Sequence, residues 1–242
     1  MGLEQLELIF SGNSFSDEDA IRLIFDVLED EKGGSPSFLT HETVLGRADI
    51  ERQVKATGRF PTDMHSAGLE FRFGVALGKN HRFLIISDEF GPSERWNKWI
   101  SMAAKNGEFV LAWATNREFD FWQNAHDPIE YKCGGREYEN LPMISNGLPP
   151  PLDGDVVDTS RNPGRRVLRN GYVEGVGYKM WLSRLFWTYV GRERDDEVLA
   201  TAGWRLMPMP DGMLEIEVPA EVFTEQGDPS LQARLRSAVY GS

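Results

Sequence analysis

Leu69-Glu70-Phe71-Arg72-Phe73-Gly74-Val75, followed after Gly78-Lys79-Asn80-His81 by Arg82-Phe83-Leu84-Ile85-Ile86, decides the fold class of this 242-residue chain. The first segment alternates apolar and polar side chains, the period of a strand with one buried face. The second is nearly continuous in apolar residues, as a strand covered on both faces must be. The short Gly- and Asn-containing connection joins them as a hairpin, and the apolar second strand puts that hairpin at the centre of a sheet.

Working outward, Glu4 to Phe10 alternates through Leu6, Leu8 and Phe10 and reads as another strand. Ser16, followed by Asp17, Glu18 and Asp19, is a helix N-cap with acids at the positive end of the helix. Ile21, Ile24, Phe25 and Leu28 then fall at i, i+3, i+4 and i+7, one buried stripe, before Gly33-Gly34-Ser35-Pro36 ends the helix. Asp49 to Thr57 makes a second helix on Ile50 and Val54, stopped by Gly58. Ser93 to Asn106 reads as a helix capped by Ser93 with Glu94, in preference to a strand through Trp99 to Ala104. Glu108 to Thr115, Glu118 to Trp122 and Ile129 to Lys132 read as extended. Tyr178 to Val190, apolar on nearly every face, reads as a buried helix. Trp204 to Leu206 and Leu214 to Val218 are strands, and Asp228-Pro229-Ser230 opens a closing helix lined by Leu231, Leu235 and Val239.

Between these lies a Pro/Gly-rich loop, 141–164, with Pro149-Pro150-Pro151 and Asn162-Pro163-Gly164. Strands at hairpin spacing, rather than alternating one for one with helices, predict an α+β fold of mostly antiparallel sheet flanked by a few helices. The expected organisation is a single domain, 1–242, open to division into two lobes at the loop.

The composition is that of a globular protein, with 14 Phe, 7 Trp and 6 Tyr. That is more aromatic surface than a minimal core consumes, leaving some for an interface. No apolar run reaches membrane-spanning length, and Met1 to Gln5 has neither the basic start nor the apolar run of a signal peptide. A single cysteine, Cys133, forms no internal disulfide, so a reducing, cytoplasmic setting is expected. The net charge of −12 works against nucleic acid and anionic lipid and favours a basic partner. The charge is uneven: nine acids face three bases across 111–160, and eight bases face two acids across 161–194. Either the two segments attract each other, or the acidic one is aimed outward.

Catalytic motifs are scarce. His41, His65, His81 and His126 stand at no metal-ligand spacing, and HExxH, CxxC, a phosphate-binding Lys loop and G-x-S-x-G are absent. Gly175-Val176-Gly177 lacks the third glycine of a dinucleotide site, and His126-Asp127-Pro128 reads as a turn. No cofactor and no metal are expected. Paired acids, Asp120 with Glu130 or Asp153 with Asp155, keep open a small hydrolase or carbohydrate-active enzyme; the aromatic surplus keeps open a homo-oligomeric scaffold. The preferred reading is a binding protein whose partner surface is Glu118, Asp120, Trp122 and Glu130, with Asp153, Asp155 and Asp158 from the loop. On a strand, Glu118, Asp120 and Trp122 share one face, acids beside an aromatic anchor.

Two terminal regions carry a resemblance. At one end are the Glu4–Phe10 strand, the Ser16–Asp30 helix and Pro36-Ser37-Phe38. At the other are Ala202-Gly203-Trp204, the Met209-Pro210-Asp211-Gly212 turn, the Leu214–Val218 strand, Val222-Phe223-Thr224 and the closing helix. Together, about a third of the chain, they resemble the immunity proteins of bacterial polymorphic-toxin systems. The family is immunity family fifty-two, encoded beside toxins with a restriction-endonuclease-like domain. The resemblance implies a protein that neutralises a cognate toxin, a nuclease delivered by type VI secretion, by binding its basic surface. Such a protein needs no catalytic residues of its own. No contact residue is carried over, because the middle of the chain, from about Arg95 to Arg194, lies outside the resemblance.

Overall fold

The computed structural model describes residues 3–12, 15–88, 95–201 and 203–241. The N-terminal half runs β1 (Glu4–Ser11), α1 (Asp17–Lys32), β2 (Phe38–Thr40), β3 (Thr43–Leu45), α2 (Arg47–Thr57), β4 (Met64–Ser66), β5 (Leu69–Ala76), β6 (His81–Asp88) and α3 (Trp96–Ala103). The middle is β7 (Phe109–Asn116), α4 (Arg117–Asn124), α5 (Pro128–Cys133), β8 (Met143–Ser145), β9 (Asp155–Val157), β10 (Val167–Leu168) and β11 (Val173–Glu174). The rest is β12 (Lys179–Leu182), α6 (Arg184–Val190), α7 (Asp196–Thr201), β13 (Arg205–Pro208), β14 (Leu214–Glu217) and α8 (Pro229–Tyr240).

Ten strands form one sheet in the order β13-β14-β12-β7-β1-β6-β5-β4-β2-β3, and every pairing among the described residues is antiparallel. The fold is therefore α+β with a large antiparallel sheet, and the β5–β6 hairpin joins its centre through β6, which pairs with β1. β1 is buried along its whole length because both faces are covered. Leu6, Leu8 and Phe10 enter a core with α1, α2 and α3, while Ile9 enters a second core with β12, α6 and α8 on the other face. The strand period of two thus assigns alternate residues of one strand to two cores.

Local chemistry explains the helices. Ser16 accepts the Asp19 N–H, and Asp19 accepts the Ser16 N–H in return, at 3.2 and 2.9 Å. α2 starts two residues ahead of the Asp49 expectation and ends at Gly58, whose left-handed φ of 63° the missing Cβ permits. α3 confirms helix over strand at Trp99; its expected caps, Ser93 and Glu94, lie outside the described residues. In α8 the Asp228 side chain accepts the Ser230 N–H at 2.8 Å, with Pro229 in the first turn. Of its expected inner stripe, Leu235 and Val239 are fully buried and Leu231 is partly so.

Three expectations fail. Glu118 to Trp122 is not a strand but part of α4: Asn116 accepts the Phe119 N–H at 2.9 Å and turns the end of β7 directly into a helix. Ile129 to Lys132 is likewise helical, within α5, capped by Asp127 with Pro128 at its start. Tyr178 to Val190 is not one helix but β12 followed by α6, broken where Ser183 accepts the Phe186 N–H. Within the loop of 141–164, β8 and β9 form a short separate hairpin. No helix among the described residues is long and apolar enough to cross a membrane.

Candidate functional site

Where α4 and α5 cross the second face of the sheet they leave a cleft of about 750 Å³. Ile85 and Arg72 line its floor, in the cross-strand row Trp113–Glu7–Ile85–Arg72 on β7, β1, β6 and β5, and Gln5 lines it from the next row, Thr115–Gln5–Ser87–Glu70. Polar residues at the centre of a sheet need partners, because burial without them is costly. Arg166 supplies one. Its guanidinium clamps Asp120 of α4 with two bonds, Nε to Oδ1 at 3.2 Å and Nη2 to Oδ2 at 2.5 Å, while Nη1 lies 2.8 Å from Glu7 Oε2. The Glu7 contact is close but out of line for a hydrogen bond.

Arg166 is held in place by the end of α4. Its N–H donates to Asn124 Oδ1 at 2.7 Å, the Gly164 N–H donates to Gln123 Oε1 at 3.0 Å, and the Asn162 side chain donates to Gln123 O at 2.9 Å. One basic residue from the 161–194 segment thus meets one acid from the 111–160 segment, an instance of one of the two readings that the charge pattern left open. Nearby, Arg117 Nη1 lies 3.0 Å and Arg72 Nε 3.5 Å from the two oxygens of Glu70.

Burial pushes the Glu7 carboxyl up to about 7, against the opposing pull of Arg166. Asp120 is also raised by burial, and Arg166 again opposes the shift. Burial works against the Arg166 charge, but Glu7 and Asp120 outweigh it and hold its pKa above the ordinary value. A carboxyl raised on folding stabilises the native state fully below its unfolded pKa and loses that contribution as pH rises through the folded value. For Glu7 the window runs from 4.5 to about 7. Glu7→Gln should therefore gain stability on the wild type as pH rises from 5 to 8, by on the order of 3 kcal/mol at most. Urea unfolding at several pH values reads this directly; a difference independent of pH would mean Glu7 does not titrate in that range.

The expected surface residues are partly brought together. Glu118, Asp120, Trp122 and Glu130 all line the cleft. Their roles differ: Asp120 is buried against Arg166, Glu118 is 75% exposed, and Glu130 accepts the Asp127 N–H at 3.3 Å to complete the α5 cap. Trp122 packs between Phe121 and Tyr131, with ring centroids 4.8 and 5.2 Å away, and carries Arg136 on its face. Asp158 lines a neighbouring cleft of about 650 Å³ and accepts the Ser160 N–H at 2.9 Å; hydrogen bonds from Ser160 hold its carboxyl below the usual range. Asp153 and Asp155 are exposed on the β8–β9 hairpin and line neither cleft.

The cleft is not an acidic face, because Arg72, Arg117, Arg136 and Arg166 line it alongside the acids. Sequence reading missed Glu7, Arg72 and Arg166. The available signal was Gln5 and Glu7 alternating with Leu6 and Leu8 on a strand that proves central. Among the described residues no group of three or more His, Cys, Asp or Glu is placed to hold a metal ion. His126-Asp127-Pro128 is a capped helix start, with His126 Nδ1 3.1 Å from Val157 O.

The fold and cleft define an α+β protein with an open, charged and aromatic recess. Over 99% of its length the chain is similar in fold to a solved Pseudomonas aeruginosa T6SS protein, PA0821, with a TM-score of 0.50, 14% identity and 73% of that chain covered. No protein-family model matches the chain, and no curated protein sequence does.

Proposed function

We propose that this protein is an immunity protein that binds a cognate antibacterial toxin, a nuclease delivered by type VI secretion, and protects the producing cell. The observation that carries this reading is the open recess, with exposed Phe121 and half-buried Trp122 beside exposed Glu118, on a chain of net charge −12. An aromatic anchor beside unburied charge is the composition of a protein-binding surface. The likeness in fold to a T6SS protein and the resemblance of the terminal regions to immunity family fifty-two support the same reading. A nuclease presents basic groups to phosphate, and a strongly acidic inhibitor is drawn to them at long range. Binding alone suffices, so the protein acts without catalysis, cofactor or metal, in the cytoplasm where the toxin would otherwise act on its maker.

Co-expression with the toxin domain encoded beside it, followed by size exclusion with light scattering, tests the proposal. A defined complex that persists at micromolar dilution is the expected result; two separate peaks at low and moderate salt would sink it for that pair. Within such a complex, Glu118→Lys and the exposed hairpin changes Asp153→Lys and Asp155→Lys should slow association by about three- to tenfold at low salt and flatten its salt dependence. Asp120 and Glu130 are unsuited to that test, since each holds part of the fold. Association unchanged in all three variants would remove this surface.

A further inference from the structure

Trp122 and Arg136 line both the 750 Å³ cleft and its 650 Å³ neighbour, so their stack is the partition between the two. The Arg136 guanidinium lies 4.2 Å from the centroid of the Trp122 ring. Its Nη2 is 3.4 Å from Glu118 Oε1 and also contacts Glu225. One aromatic face and two carboxylates therefore surround one guanidinium, an arrangement that a planar, weakly hydrated cation fits better than an ammonium.

The two cleft arginines that carry buried or exposed partners are held very differently. Arg166 is fixed by Glu7 and Asp120, whose side chains are only 4% and 12% exposed. Arg136 relies on Glu118 and Glu225, exposed by 75% and 49%, and ion pairs so open to water contribute little. It also follows Gly134 and Gly135, the latter at a left-handed φ of 66°. The Arg136 N–H donates to Tyr131 O at 2.9 Å and closes the helix end, so the side chain can leave by its own rotation while α5 stays in place. The Trp122 ring cannot follow it toward Gly134, because it lies so close that a Cβ there would come within 2.5 Å. Removing Arg136 from the stack leaves the aromatic ledge standing and joins the two clefts into one groove.

We propose that the Glu118–Trp122–Glu225 ledge is a receptor site for a guanidinium from outside the chain, kept closed by Arg136 standing in for it, and that the occupant is an arginine side chain of a basic protein partner. The origin of the arginine rests on the toxin-binding reading above; the ledge itself does not. Charge complementarity selects the occupant: two carboxylates already accept a guanidinium in this geometry, and the chain's overall charge draws a basic surface.

The test uses N-acetyl-arginine amide, titrated into the wild-type protein and Arg136→Ala and followed by the Trp122 indole N–H signal in NMR, assigned through Trp122→Phe. Arg136→Ala should bind the probe with a dissociation constant on the order of millimolar, about tenfold tighter than wild type. Adding Glu118→Gln to that background should weaken binding again, and N-acetyl-lysine amide should bind less well than the arginine probe. An unmoved Trp122 signal in Arg136→Ala, or equal affinity in the two proteins, overturns the proposal. Because the probe is a small molecule, this outcome is independent of whether a toxin complex forms.

Discussion

Arg166→Met should destabilise the protein by about 3–5 kcal/mol at pH 8, the range for breaking a buried ion pair from one side. The substitution retains volume but removes the cation shared by Glu7 and Asp120, so that at pH 8 the two acids must either stay ionised without a counter-charge or take up a proton, and both cost stability. It also withdraws the guanidinium from the face of Trp113, 5.8 Å from the ring centroid. Two further features identify the cause. The loss should shrink at pH 5, where Glu7 accepts a proton; its carboxyl is raised to about 7 with Arg166 present and rises further without it. Adding Glu7→Gln and Asp120→Asn should recover most of the stability, because neutral partners remove the uncompensated charge. Urea midpoints at both pH values decide the matter. A loss under 1 kcal/mol in Arg166→Met alone would show that the two acids are already neutral or hydrated.

Gly177→Ala should cost about 3 kcal/mol, at the upper end of the usual overpacking penalty. A Cβ at this position would come 2.2 Å from Ala114 O and 2.9 Å from Ala114 C, so the obstacle is the backbone of β7 and not a side chain that can turn aside. Gly177 stands two residues before Lys179, which pairs with Ala114, and the added methyl must therefore push β12 off β7. Gly175 has a related constraint: a Cβ there would meet the Trp113 ring at 2.7 Å. The control is Gly107, where a Cβ meets nothing within 4 Å and φ is not left-handed. Gly107→Ala should change stability by less than about 0.5 kcal/mol or raise it slightly. Thermal melts of the two variants compare the sites; equal melting temperatures would mean that β12 has slack. The GxG of the sequence is thus a packing motif between two strands.

What could be read from residues alone follows from how far each signal extends. The β5–β6 hairpin, α1 and α8 were legible because each carries several turns of period or a cap beside its apolar stripe. α4 was not, because Phe119 and Phe121 alternate over a stretch too short to separate period two from 3.6. The deciding marks lay just outside it, in Asn116 before α4 and Asp127-Pro128 before α5. In Tyr178 to Val190 the few polar residues, Lys179, Ser183, Arg184 and Thr188, mark neither period clearly; the break is at Ser183, which caps α6. The three-residue strands β2, β3 and β4 carry no period at all. For the site, the residues on α4 and α5 were found because they are neighbours in sequence. Glu7, Arg72 and Arg166 were not, since only the sheet register and the Gln123–Asn124 contacts bring them together.

The place of β1 between β6 and β7 has a consequence during synthesis. Neither neighbour exists when β1 leaves the ribosome: β6 ends at Asp88 and β7 at Asn116. At about 5–20 residues per second, the chain from β1 to the end of β7 takes roughly 5–20 s to make. Until β6 is complete at Asp88 both hydrogen-bonding edges of β1 are bare, and from there to Asn116 the edge that β7 will take stays open. The sheet closes from its middle once β7 arrives, so translation rate through 81–116, more than the speed of any later packing step, sets how long the nascent chain must be kept from aggregating.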